Sequence, residues 1–138
     1  MSAKPDSRNM AEAFDPAVLL ALTGGDQEFL RELADEFASS ARRARVELTA
    51  ALAAGDLTAM AAIAHRFKSA AGQVGARRAQ ELSAALEHMG RTGGAVATAL
   101  AEDLVRQLEV LEGALLAFAE AQAGGTGPTA SDAGPSGS

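Results

Sequence analysis

From Ala97 to Phe118 the chain sets an apolar residue at Ala97, Leu100, Leu104, Leu108, Leu111, Leu115 and Phe118, and from Leu104 onward the steps alternate between four and three. Such a period is that of a helix packing along a left-handed seam. A strand cannot use it, because side chains alternate faces every second residue there. No alternating run asks for a strand elsewhere in the sequence, so this seam needs other helices to cover it.

Those helices are marked by their ends. Asp15-Pro16 reads as an N-cap followed by proline at the first helical position, opening a short helix that Gly24-Gly25 closes. Asp26 caps a long second helix with an inward stripe of Phe29, Leu30, Leu33, Phe37, Ala41, Ala44, Leu48 and Leu52. Gly55 ends it, and Asp56 caps a third helix that turns Leu57, Met60, Ala64, Phe67, Ala71 and Val74 inward and stops near Gly75. A fourth, with Ala79, Leu82, Leu86 and Met89 inside, ends around Gly90 to Gly94. The expected fold is all-α: an antiparallel four-helix bundle with a short additional N-terminal helix. No unit recurs, which excludes a helical repeat.

Apolar residues make up 48% of the chain but aromatics only 4%, a composition of closely packed helices rather than sandwiches. The polar residues 1–13 form a flexible N-terminal segment, 14–122 form the bundle, and 123–138, rich in Gly, Pro and Ser, form a disordered tail that cannot bury enough surface to order itself. A net charge of −6 argues against nucleic acid or anionic membrane as partner. The absence of cysteine removes disulfides and thiolate chemistry and suits the cytoplasm. Neither a secretory leader nor an apolar run of about 20 residues is visible.

The chain has two histidines, His65 and His88. By position alone His65 is an ordinary solvated residue. Its neighbours at steps of three, four and seven are Ala61, Ala62, Lys68, Ser69 and Gly72, so four of these five are small. The imidazole therefore stands above a low surface that another protein can approach closely. His88 follows Glu87, points to another face near a helix end, and reads as structural or neutral. A His65 and His88 metal pair lacks carboxylates at ligand spacing, so no metal site is expected. No Gly-rich phosphate loop is present, which argues against ATP binding.

The segment "AHRFKSAAGQVGA" (64–76) resembles the histidine phosphotransfer (HPt) domain family: His-x-x-Lys on a helix, small residues after it, and Gly-Ala at the end. "FDPAVLLALTGGDQEFLRELADEF", "ALAAGDLTAMAAIAH" and "LSAALEHMGRTG" extend the resemblance over most of the folded region. It implies a phosphocarrier that relays a phosphoryl group between aspartates of receiver domains, in response regulators or hybrid kinases, within a two-component phosphorelay. His65 is then the phosphoacceptor, Glu87 the acid that orients its ring, Lys68 the cation that meets the phosphoryl group, and Arg91 a weaker basic candidate. Ala61, Ala62, Ser69 and Gly72 become the receiver docking surface. No cofactor is implied; magnesium belongs to the partner's receiver domain, and the carrier is a monomer. Two positions depart from the family pattern, which has glycine where Ser69 stands and leucine where Phe67 stands.

Two competing classes make different demands. A helical adaptor uses the same low surface to bind receivers without phosphotransfer. A metal-dependent hydrolase needs several inward-facing Glu and His residues, and the inward stripes contain none.

Overall fold

The fold is a computed structural model describing residues 13–89 and 92–126. Five α-helices account for nearly all of them: α1 (Pro16–Thr23), α2 (Gln27–Ala54), α3 (Leu57–Gln73), α4 (Arg77–Met89) and α5 (Ala95–Thr126). The caps are those the sequence predicts. Asp15 Oδ1 accepts from Ala17 N at 3.0 Å, Asp26 Oδ1 from Phe29 N at 2.9 Å and Asp56 Oδ1 from Ala59 N at 3.0 Å. Each satisfies a backbone donor that the helix itself cannot, a contribution of about 1 kcal/mol per cap. At the other end of α2, Gly55 takes a φ of 66°, and the next amide, Asp56 N, returns to Ala51 O at 2.9 Å, turning the chain sharply into α3.

In the bundle, α2 packs most extensively on α5, α3 lies between α2 and α4, and α4 closes against α5. Short connections make successive long helices antiparallel. At about 1.5 Å per residue, the 28 residues of α2 and the 32 of α5 outrun the 17 of α3 and the 13 of α4. The short helix α1 packs on α2 beside the turn between α3 and α4, where Asp15 N donates to Val74 O at 3.1 Å and Phe14 meets Phe118 edge to face with ring centres 5.6 Å apart. Both described ends of the chain therefore lie toward the pole of the α3–α4 turn.

The α5 seam is Ala97, Ala101, Leu104, Leu108, Leu111 and Leu115, none more than 1% exposed. Leu100 and Phe118 flank it half-buried. On α2 the innermost line is Leu30, Ala34, Ala38, Ala41, Ala44, Leu48 and Ala51, with Leu33, Phe37 and Leu52 packed along its edges. Small residues on the seam let α2 and α5 approach closely while the larger ones fill the grooves beside it. The expectation that Phe29 points inward is corrected: it is 45% exposed, because it sits in the first turn of α2 and the inward direction there belongs to Leu30. In α3, Ile63 joins the core while Leu57 is half-buried; in α4, Ser83 is buried and Met89 half-buried. Helix α5 continues to Thr126, past the expected boundary at 122; residues 1–12 and 127–138 lie outside the described residues.

Gly75 holds α1 in place. Its φ is 69°, and a Cβ there would come within 2.7 Å of Asp15 Cβ and 3.3 Å of Asp15 N. Gly75→Ala therefore combines left-handed strain with a collision against the backbone that caps α1. The expected loss is about 1–3 kcal/mol in urea unfolding.

Candidate functional site

His65 lies midway along α3, on a turn locked into the core by Ile63, Ala64 and Phe67, each no more than 6% exposed. Its own side chain is 67% exposed. Across the groove, near the end of α4, Glu87 faces it: His65 Nδ1 and Glu87 Oε2 are 2.6 Å apart. One turn after His65 on α3, Lys68 Nζ donates to the other oxygen, Oε1, also at 2.6 Å. A single carboxylate thus takes a hydrogen bond on each oxygen, both from α3, and ties the two helices together at the ring.

The two bonds hold the Glu87 carboxyl below its usual value of 4.5, the hydrogen bond from Lys68 contributing most and that from His65 next, against a smaller opposing effect of burial. Glu87 is therefore ionised at neutral pH, and an ionised carboxylate can only accept. Nδ1 must be the donor. In the neutral ring that leaves Nε2 with its lone pair, and Nε2 has no hydrogen-bond partner among the described residues. The far nitrogen of an exposed ring is free, and the near one is fixed.

Because the folded carboxyl titrates below the unfolded one, this clasp contributes its stability above pH 4.5 and loses it as pH falls through the depressed value. The Glu87 carboxyl ¹³C shift should have a titration midpoint below 4.5. In Lys68→Ala, which removes the leading cause, the midpoint should move back up. An unmoved midpoint would mean that the Lys68 bond is not formed in solution.

Of the expected docking residues, Ala62, Ser69 and Gly72 are exposed and Ala61 is half-buried. Gly72 also serves the bundle: a Cβ there would come within 2.8 Å of Gln80 Nε2, so the Gln80 amide of α4 lies against the bare α3 backbone. His88 is exposed. Arg91 falls outside the described residues. Among those described, no group of three or more His, Asp or Glu side chains could hold a metal ion, and no helix is long and apolar enough to cross a membrane.

Three contacts were not anticipated from the sequence. Lys68 binds Glu87 in this state, Gln80 leans over Gly72, and Arg66 Nη2 turns to the opposite flank to meet Glu47 Oε1 of α2 at 2.9 Å. Helical periodicity could have given only the directions, since Arg66 is about 100° around α3 from His65. The partners depend on the relative heights of neighbouring helices.

Comparison with known proteins adds to this geometry. The chain is similar to the histidine-containing phosphotransfer protein B (HptB) of Pseudomonas aeruginosa PAO1, whose crystal structure superposes with a TM-score of 0.68 at 28% identity, covering 80% of this chain and 96% of that one. No curated protein matches the sequence. The Hpt domain family matches residues 20–122, a span that holds His65, Lys68 and Glu87 together with all four bundle helices up to Gln122. Matched over most of its length, the chain belongs to the Hpt domain family.

Proposed function

We propose that His65 is the phosphoacceptor of this chain, with Glu87 orienting its ring and Lys68 supplying the local positive charge. As an Hpt domain the chain acts in histidine phosphotransfer within phosphorelay signalling, and such domains interact with receiver domains. The single observation that carries the residue assignment is the ring itself: its side chain 67% exposed, Nδ1 bound to a carboxylate, and Nε2 without a hydrogen-bond partner among the described residues.

The reaction follows from that arrangement. The Nε2 lone pair attacks the phosphorus of an aspartyl phosphate on the receiver. An N–P bond forms as the P–O bond to the aspartate breaks, and the bonding pair leaves with the aspartate carboxylate. The ring gains positive charge, while its proton remains on Nδ1 opposite ionised Glu87, which offsets the charge as it develops. In the return step the aspartate of another receiver attacks phosphorus and the N–P pair goes back to Nε2. Lys68, one turn away, exchanges Glu87 for the phosphoryl oxygens when these arrive. Magnesium, where needed, belongs to the receiver under this reading: among the described residues Glu87 alone offers the ring a carboxylate, and His65 and Lys68 engage both its oxygens.

The carrier works as a monomer in the cytoplasm under this reading, exchanging phosphate with receivers of response regulators or hybrid kinases. Its net charge of −6 disfavours nucleic acid and anionic lipid surfaces as alternatives.

The test is to incubate the full chain with a panel of phosphorylated receivers and assay it for acid-labile, alkali-stable phosphate. Transfer from at least one receiver is expected; none from the whole panel would leave only a docking adaptor. Glu87→Ala should slow transfer by about tenfold or more without lowering the final amount, since the nucleophile remains and only its orientation and charge compensation are lost. An undiminished rate would remove Glu87 from the mechanism.

A further inference from the structure

Charge on the bundle is segregated. Helix α3 carries Arg66 and Lys68 but no Asp or Glu between Leu57 and Gln73, whereas α5 carries Glu102, Asp103, Glu109, Glu112 and Glu120 against Arg106 alone. The two flanks of His65 also differ. Toward α4, Lys68 and Glu87 neutralise one another at 2.6 Å. Toward α2, Arg66 is paired with Glu47 at 2.9 Å, but Arg43 has no ion-pair partner among the described residues. Arg43 and Arg66 together border a notch of about 200 Å³ between α2 and α3, with Ser40 and Glu47 on its walls and Phe67 among its lining residues. Among the described residues the excess charge on the α2 flank of the reactive ring is thus positive, in a chain whose net charge is −6.

We propose that Arg43 and Arg66 form an electropositive docking flank that selects receivers carrying carboxylates on the rim of their phosphorylation pocket, on the side that meets α2. This rests on the phosphocarrier reading above and adds to it the chemistry that chooses the partner. At physiological ionic strength charges act over about 8 Å, so the acidic α5 on the far side of the bundle neither attracts nor blocks a partner at His65. On the α2 side of His65 an acidic rim finds its favourable potential at Arg43 and Arg66. Receivers that present lysine or arginine there are disfavoured. The notch fits a side chain rather than a whole helix, so it serves as a seat for one or two rim carboxylates. The contact through the small-residue surface around His65 is common to all receivers.

The experiment measures initial rates of phosphoryl transfer from a phosphorylated receiver with an acidic rim to the full-length chain, over a range of receiver concentrations, at low and at high salt. Arg43→Glu should raise KM by about tenfold and flatten its salt dependence, with the loss overcome as receiver concentration rises. Arg43→Ala should fall between it and the parent. Arg106→Glu makes the same change of charge on α5 and should leave KM where it was. Equal effects of Arg43→Glu and Arg106→Glu, or a KM in the parent that ignores salt, overturn the docking flank while leaving His65 as acceptor. A parent chain that takes no phosphate from any receiver overturns both.

Discussion

His65→Gln loses phosphoryl acceptance altogether while its melting temperature and helical signal stay within experimental error of the parent. The amide can still reach Glu87, but it offers no nucleophilic nitrogen, so no rate remains to be recovered by longer incubation or more receiver. Stability is spared because the side chain is 67% exposed and the turn beneath it is held by Ala64 and Phe67 rather than by the ring. Phosphate on His65→Gln in an autoradiograph would transfer the acceptor role elsewhere, with exposed His88 as the first residue to test.

Leu108→Ala makes the opposite separation. Leu108 is 0% exposed at the centre of the α5 seam, against the innermost helices of the bundle. Truncating it removes the transfer energy of three carbons and leaves a cavity that the close-packed α2–α5 interface cannot collapse to fill. The expected loss is about 2–5 kcal/mol in chemical denaturation. Much of the stability of a domain this size would be gone, yet phosphate acceptance per folded molecule should persist, because α5 lies diagonally across from α3 and contributes nothing to the ring's hydrogen bonds. A loss below about 1 kcal/mol would mean that the seam repacks more freely than its burial implies.

The parts of this fold written most plainly in the sequence are those fixed by a few consecutive residues. Asp15, Asp26 and Asp56 cap the helices they were expected to cap, because an acceptor side chain three residues or fewer before an amide needs no tertiary information to find it. Leu104, Leu108, Leu111 and Leu115 turn inward because a sustained seam averages out local ambiguity. Phe29 did not follow, since at the first turn of a helix several rotations fit equally well until a neighbouring helix chooses between them. The bonds at the ring lie at the far end of this scale. His65 and Lys68 share a face by spacing alone, but the role of Glu87 is legible only through likeness to the family, and its grip on Lys68 through neither. That bond depends on how high α4 rides against α3, which the turn at Val74 to Ala76 and the Gln80–Gly72 contact determine together.

The arrangement at the α1 pole bears on how such a domain is used. Ala13 is buried beside α1, and α5 runs out past Phe118 at that same end, while His65 projects sideways from the middle of α3. Both described ends of the chain therefore sit at the α1 pole, apart from the flank that His65 occupies. The carrier can be anchored and still be visited by one receiver after another.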